Sequence, residues 1–226
     1  MDAAQECTPQ ELIAAAKALP AAGMRMLGIT GAPGAGKTTI AEAITAAVSG
    51  SVLVGMDGFH LAEALVIARG IRDRKGAPHT FDVHGFVAIL DRIRAQLPDS
   101  PTVYAPRFDR GLDDAICSAV EVPAAAPLVI IEGNYLLHDR DGWELVRPAL
   151  DAVWFLDPPE RLRHERLISR HTQFGLDRDH AREWALGTDE HNAVLVRAGR
   201  ARADRIVSVV SGVSFGDDTR TEAEVP

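Results

Sequence analysis

The 226-residue chain is poor in cysteine and in long apolar runs, and each shortage excludes a class of protein. Its two cysteines, Cys7 and Cys117, do not make a disulfide framework or a zinc site. No apolar stretch approaches the roughly 20 residues that a membrane-spanning helix needs. No basic segment followed by an apolar run stands at the N-terminus, so we expect no secretory signal and no membrane partner.

Aromatic residues are also few, and acidic residues outnumber basic ones, which argues against nucleic acid as the main partner. The formal net charge is -8 at pH 7, and aromatic residues make up 5% of the chain. A basic binding surface and an extended base-stacking platform are therefore not expected. The histidines show no H-E-x-x-H or comparable spacing, so no transition-metal site is predicted. Together these features indicate a protein of the reducing cytoplasm.

What the chain does contain is a glycine-rich loop between a predicted strand and a predicted helix. Residues 31–38 read GAPGAGKT, which matches G-x-x-x-x-G-K-[ST], the phosphate-binding motif called Walker A. Residues 26–30 are short and mostly apolar, as in a buried strand, and residues 39–48 place apolar groups at helical spacing. The motif therefore stands where its mechanism needs it.

The residue types in this loop explain how it would bind a nucleotide. Glycines let successive backbone N–H groups converge on phosphate oxygens, and the helix adds the positive end of its dipole. The Lys37 ammonium would neutralise β- and γ-phosphate charge, and the Thr38 hydroxyl would coordinate Mg²⁺. The predicted nucleotide-binding residues of the loop are Gly31, Ala32, Gly34, Ala35, Gly36, Lys37, Thr38 and Thr39.

Strands that alternate with helices predict an α/β fold with a parallel sheet covered on both faces. Continuous apolar runs at 128–131 and 152–156 have the pattern of strands buried on both sides. A capping box predicts an N-terminal helix over about 8–19. No repeat or linker is visible, so we predict a single domain over 1–226, with a core at about 24–210 and a loose polar tail at 211–226.

In such sheets, ligands bind beyond the carboxyl ends of the strands, and two acidic residues stand at predicted strand ends. Asp57 follows the strand at 51–56, and Glu132 follows the run at 128–131. Phosphoryl transfer needs a metal and a group that orients the attacking oxygen, so both are candidate catalytic residues beside Lys37. Glu132 is also a candidate metal ligand with Thr38. The alternatives are that Asp57 caps a turn and that Glu132 forms a structural ion pair.

Positive charge and polar groups complete the predicted site. Arg163, Arg166 and Arg170 are spaced so that they share one helix face, which is either a solvated surface or a lid that clamps phosphates. Candidates for holding a polar substrate are His60, Tyr104, Arg107 and Asp109. The last three belong to a predicted strand and loop at 102–110, which we place at the same edge of the sheet, and residues 116–122 are predicted as a further edge strand.

Several segments resemble the uridine kinase, phosphoribulokinase and bacterial pantothenate kinase group of P-loop kinases. Besides the Walker A loop, they are MDGFH at 56–60, KGAPHTFD at 75–82, YAPRFD at 104–109, IIEGNYLL at 130–137 and RLISRH at 166–171. The resemblance covers about residues 27–207. It implies a three-layer α/β/α P-loop NTPase fold with a five-stranded, mostly parallel sheet and a helical lid, often assembled as a homodimer.

The same resemblance implies roles for particular residues. Asp57 would be the base that acts on the substrate hydroxyl, and Glu132 would lie in a Walker B-like strand end. The lid helix would bring Arg166 and Arg170 to the phosphates. The chain is shorter than typical pantothenate kinases and lacks the aromatic-rich uracil-binding segments of uridine kinases, so the substrate-side residues transfer least.

We therefore expect an ATP-dependent, Mg²⁺-assisted phosphotransferase that moves the γ-phosphate to a hydroxyl of a small molecule. Nucleoside-, pantothenate- and sugar-like acceptors all remain open. A GTPase is the second hypothesis, and the missing N-K-x-D motif argues against it. A nucleotide-binding regulatory protein without turnover is the third. The joint presence of Lys37, Thr38, Asp57 and Glu132 argues against it, because a pure binder needs no base.

Overall fold

A parallel sheet lies at the centre of the computed structural model, which describes residues 3–173 and 175–209. Within these residues the strands are β1 (Gln5–Cys7), β2 (Met26–Gly31), β3 (Val52–Gly55), β4 (Val103–Asp109), β5 (Asp114–Val122), β6 (Val129–Glu132), β7 (Ala152–Leu156) and β8 (Arg205–Val209). Six of them pair in parallel in the order β1-β8-β7-β2-β6-β3. The strand that leads into the glycine-rich loop is thus flanked by β6 and β7.

The sheet has six strands where the resemblance implied five. The additional strand is β1, which pairs with β8 so that Gln5 lies opposite Val207. Its sequence, Gln-Glu-Cys, is short and mostly polar and carries no strand signal. Tertiary pairing to the edge of the sheet decides its conformation.

Helices cover both faces of the sheet. They are α1 (Pro9–Ala18), α2 (Lys37–Ala47), α3 (Glu63–Ala68), α4 (Val83–Arg94), α5 (Glu160–Gln173), α6 (Arg178–Leu186) and α7 (Thr188–Ala198). The predicted capping box is present, because Thr8 Oγ1 accepts a hydrogen bond from the Glu11 N–H at 3.2 Å and the Glu11 carboxylate accepts one from the Thr8 N–H at 2.8 Å. None of the helices in the described ranges is long and apolar enough to cross a membrane.

Two buried clusters, one on each face of the sheet, confirm the three-layer arrangement. Along β7, Val153 and Phe155 pack into one cluster, whereas Trp154 and Leu156 pack into the other. Alternate residues of this strand therefore point to opposite faces, and both sets are buried. This is why the sequence of the strand is continuously apolar.

The segment at 104–109 does not lie at the edge of the parallel sheet, where the sequence analysis put it. It belongs to a separate antiparallel hairpin, in which β4 pairs with β5 from Val103 opposite Val122 to Asp109 opposite Asp114. The hairpin packs against the turn at Met56–Phe59: a Cβ atom added to Gly58 would lie 2.6 Å from the carbonyl oxygen of Pro106. The tail predicted at 211–226 lies outside the described residues.

Candidate active site

The glycine-rich loop connects β2 to α2 in a conformation that specific glycines make possible. Gly34 has a φ of +80°, and an added Cβ would lie 2.7 Å from the Arg163 carbonyl oxygen of α5. At Gly31 an added Cβ would lie 2.5 Å from the carbonyl oxygen of Leu156 in β7. A side chain at either position would displace a neighbouring backbone, so the loop is fixed between β7 and α5.

Lys37 opens α2 and is buried, with 8% of its surface exposed. Its Nζ donates a hydrogen bond to the Ala32 carbonyl oxygen at 3.3 Å. Burial lowers the pKa of Lys37, and the carboxylates of Glu132 and Asp57 oppose this effect. Lys37 thus lies between the loop and the two acidic residues that the sequence analysis selected.

The two carboxylates have different environments. Glu132 ends β6 and is 9% exposed, and burial raises its pKa to about 7 even though Lys37 opposes the shift. Asp57 lies in the turn after β3, where 38% of its side chain is exposed and its Oδ2 is 3.9 Å from Nη2 of Arg110. Asp57 is therefore the more accessible of the two, and Glu132 is the more sensitive to the charge of a neighbour.

Three cavities surround these residues. The first, which we call the loop cavity, has a volume of about 500 Å³ and is lined by residues 34–40 of the loop together with Arg166 and Arg170. The second, the inner cavity, has a volume of about 170 Å³ and is lined by Asp57 and Glu132, among others. The third, the hairpin groove of about 570 Å³, lies between β3 and the hairpin.

The loop cavity and the inner cavity meet at a shared wall. Four side chains line both: Lys37, Thr38, Arg110 and Arg170. A phosphate chain held by the loop would therefore end at the opening of the inner cavity, where both carboxylates lie. The predicted convergence of Lys37, Thr38, Asp57 and Glu132 is present in the structure.

In the structure, the three arginines that were predicted to share one face of the lid helix have different surroundings. Arg166 donates from Nη1 to the Ala35 carbonyl oxygen at 3.4 Å, and Arg170 lines both cavities. Arg163 is only 2% exposed; it is ion-paired with Glu190 of α7 and donates to the Pro33 carbonyl oxygen at 3.3 Å. Arg163 therefore supports the loop from behind and does not face a ligand.

The predicted substrate residues also divide. The ring of His60 lines the inner cavity and lies 4.0 Å from the ring of Phe81, measured between centroids. Burial lowers the pKa of His60, which keeps the ring neutral at pH 7. Arg107 lines the hairpin groove.

Two further candidates lie elsewhere on the hairpin. Tyr104 is 47% exposed and lines none of the three cavities. Asp109 accepts hydrogen bonds from the N–H groups of Gly111 at 2.8 Å and Leu112 at 3.0 Å, so its side chain holds the hairpin turn. Their placement gives no support to a role in substrate binding.

Sequence reasoning missed several residues that line the inner cavity: Lys75, Arg110, Trp184, Asp189 and Asn192. Arg110 directly follows the recognised segment at 104–109, so a signal for it was present. Lys75 belongs to a loop, but its Nζ bonds the carboxylates of Glu63 and Asp113 at 2.8 Å each. The three residues on α6 and α7 follow no motif, and only the packing of these helices with α5 reveals them. The helices α5, α6 and α7 are together called the lid from here on.

The oxygen donors that line the inner cavity fit a hard cation held jointly with phosphates. In the described part of the chain, no cluster of three or more His, Cys, Asp or Glu side chains could hold a metal ion. Mg²⁺ in nucleotide sites uses one or two protein oxygens and completes its shell with phosphates and water. The Thr38 hydroxyl and the Glu132 carboxylate, both at the inner cavity, are donors of the right kind.

A strand, a G-x-x-x-x-G-K-T loop and a helix in a parallel sheet define the P-loop class of nucleotide-binding proteins. The sequence profile of the Phosphoribulokinase / Uridine kinase family matches residues 26–214. The chain belongs to this family, and the resemblance drawn from its motifs is confirmed.

Individual relatives agree with this assignment. The ATP-dependent kinase-like protein notR' of Aspergillus versicolor is 34% identical over 145 residues, which cover 61% of this chain and 84% of that protein. The uncharacterized protein YggC of Escherichia coli is 36% identical over 154 residues, which cover 68% of this chain and 62% of that protein.

A solved structure from Silicibacter sp. TM1040, described as a putative fructose transport system kinase, is also similar. It is 36% identical, with a TM-score of 0.74, and the match covers 86% of this chain and 97% of that one.

Proposed function

We propose that this protein is an ATP-dependent, Mg²⁺-assisted phosphotransferase that moves the γ-phosphate of ATP to a hydroxyl of a small molecule. One observation carries the proposal: Lys37, Thr38, Asp57 and Glu132 line a single cavity that adjoins the loop cavity. A protein that only bound nucleotide would need no base at this point. ATP is favoured over GTP because relatives are named as ATP-dependent kinases and no N-K-x-D motif is present.

In this proposal each residue has a defined task. Backbone N–H groups of residues 34–39 bind the phosphates, and Arg166 and Arg170 neutralise them from the lid. Mg²⁺, held by Thr38 and Glu132, would withdraw charge from the β- and γ-phosphate oxygens. Lys37 supports the charge that develops on the transferred group.

Asp57 supplies the base. Its carboxylate faces the inner cavity, where it can accept the proton of the acceptor hydroxyl as that oxygen bonds to the γ-phosphorus. The bond from the γ-phosphorus to the bridging oxygen breaks, and ADP leaves with that oxygen. Glu132, if it is not engaged by the cation, is the alternative base.

The proposal extends to the setting of the protein. We place it in the cytoplasm, acting on a small-molecule acceptor and not on nucleic acid or a membrane, which the net charge of -8 and the sparse aromatic content favour. A homodimer is the assembly proposed from the family resemblance, and sedimentation equilibrium would decide it.

Substitution of Lys37 by alanine tests the proposal directly. We expect Lys37→Ala to abolish acceptor-dependent ADP release, and to remove the rise in melting temperature that ATP and Mg²⁺ give the parent protein. The loop is held by backbone contacts, so circular dichroism should show an unchanged fold. Lys17→Ala, at an exposed lysine of α1, is the matched control and should behave like the parent. Normal turnover by Lys37→Ala would refute the phosphate assignment.

A further inference from the structure

Asn192 of α7 is a buried amide whose chemistry the proposed mechanism does not use. It is 8% exposed and lines the inner cavity. Within the described residues its carboxamide makes no hydrogen bond to another group, although its Nδ2 lies near Gly76. No fully buried side-chain N or O atom of the described residues lacks a partner, so the Asn192 amide atoms reach the cavity. An amide that faces a cavity without a protein partner can donate to and accept from a ligand there.

Trp184 of α6 lies on the same cavity. It is 44% exposed, whereas Trp143 and Trp154 are 1% and 5% exposed. Its ring centroid is 6.4 Å from that of His171, whose Nε2 is 2.7 Å from Oδ2 of Asp189. This contact joins α5 to α7 beside the tryptophan. Trp184 and Asn192 of the lid thus place a flat apolar ring and a carboxamide on the same inner cavity.

Most of the charged side chains around the inner cavity already have a partner. Lys75 is paired with Glu63 and Asp113, Arg110 lies against Asp57, and Asp189 is bonded to His171. Lys37 and Arg170 also border the loop cavity, where they would meet the nucleotide phosphates. In the proposed function, each cation of this wall in the described part of the chain thus has an anionic partner, which disfavours an acceptor that carries a carboxylate.

The size of the cavity limits what it can hold. Its volume of about 170 Å³ is below the roughly 300–1,000 Å³ of pockets for drug-sized ligands. Its lining is mostly polar, and His60 and Asp57 lie on the side formed by the turn after β3. A compact molecule with several hydroxyl groups and one apolar C–H face matches this surface.

We propose that the inner cavity is the acceptor site and takes a neutral polyhydroxylated molecule no larger than a hexose. Asn192 hydrogen-bonds its hydroxyls and Trp184 covers its C–H face. This inference rests on the proposed kinase function and adds the class of acceptor and two specificity-determining residues of the lid.

Tryptophan fluorescence measures binding at this site. The parent protein is mixed with Mg²⁺ and a non-hydrolysable ATP analogue and titrated with D-fructose, D-glycerate, pantothenate or uridine. We expect D-fructose to change the emission and the other three to leave it nearly unchanged. Trp184→Phe should remove this change and keep the stabilisation by the ATP analogue, because the remaining tryptophans are buried.

Steady-state kinetics test Asn192. Asn192→Ala should raise the KM for D-fructose by about 5- to 100-fold, as loss of a buried hydrogen bond does, and leave the KM for ATP unchanged. Asn192→Asp keeps the shape of the side chain and serves as a second variant if alanine disturbs the fold. Val194→Ala, at an exposed position of the same helix, is the matched control.

The competing location for the acceptor is the hairpin groove, which Arg107 lines. If Arg107→Ala raises the acceptor KM and Asn192→Ala does not, the acceptor site is wrong. If uridine, pantothenate or D-glycerate binds and is phosphorylated in preference to D-fructose, the acceptor class is wrong. A response to none of the four compounds overturns the inference, and the proposed function still stands if ATP and Mg²⁺ stabilise the protein in a Lys37-dependent way.

Discussion

The two carboxylates at the inner cavity lie in different surroundings. Asp57 is partly exposed and near Arg110, whereas Glu132 is buried beside Lys37. This difference favours the proposed roles of Asp57 in proton transfer and of Glu132 in cation support. Sequence spacing selected both residues but left their roles open, because spacing carries no information on burial.

Substitution of Asp57 separates these roles. We expect Asp57→Asn to retain ATP binding and to lower kcat by about 10²–10⁴-fold, since an amide cannot accept the hydroxyl proton. Turnover and binding are measured by ADP release and by titration with ATP. Asp73→Asn, at an exposed carboxylate, is the control. An unchanged kcat would transfer the role of base to Glu132.

The carboxylate of Glu190 compensates the charge of the buried Arg163 guanidinium. Burial acts to raise the pKa of Glu190, but hydrogen bonds from Arg197, Arg163 and His164 outweigh it and lower this pKa to about 2. In the native state the Glu190 carboxylate therefore stays charged at a lower pH than in the unfolded chain, where its pKa has the ordinary value of 4.5. The stabilisation is complete above the unfolded pKa and is lost as the pH falls towards the native one.

This linkage predicts the pH dependence of a variant. At pH 7, Glu190→Gln should lower the free energy of unfolding by about 1–3 kcal/mol, because a charged hydrogen bond to a buried guanidinium is lost. Urea unfolding should show a constant difference from the parent between pH 8 and pH 6, and a smaller one below about pH 4.5. A difference that grows in acid would contradict the ion pair with Arg163.

At the element scale, the β4–β5 hairpin positions the turn that carries Asp57. The sequence predicted both strands, yet it assigned them to the wrong sheet, because periodicity identifies a strand but not its partner. The same limit explains the missed strand β1 and the missed residues of α6 and α7. The loop, α2 and the buried strands were predictable because local motifs and continuous apolar runs define them.

A pair of glycines tests the docking of the hairpin. In Gly58→Ala the new Cβ would lie 2.6 Å from the Pro106 carbonyl oxygen, whereas at Gly55 an added Cβ would meet no atom within 4 Å in the described residues other than its own chain neighbours. We expect Gly58→Ala to cost about 1–3 kcal/mol and to lower kcat by displacing Asp57. Gly55→Ala should stay within about 0.5 kcal/mol of the parent. Urea unfolding and ADP release report both quantities, and equal behaviour of the two variants would show that the hairpin does not set the position of Asp57.

The fold as a whole places the loop cavity and the inner cavity side by side at one end of the sheet. The loop cavity is built mainly by the glycine-rich loop, α2 and the lid helix α5. The inner cavity is built by the turn after β3, the end of β6 and the lid helices α6 and α7. The loop cavity follows from the family profile and the three-layer fold, whereas the inner cavity depends on how the lid helices pack.

The wall between the loop cavity and the inner cavity has a kinetic consequence. It is formed by Lys37, Thr38, Arg110 and Arg170. In the proposed function, each substrate has its own compartment and the two compartments touch, so donor and acceptor can be resident together and no phosphorylated enzyme intermediate is required. Double-reciprocal plots at several fixed acceptor concentrations should therefore intersect. Parallel lines would mean a ping-pong order, in which the phosphoryl group stops on the protein before it reaches the alcohol.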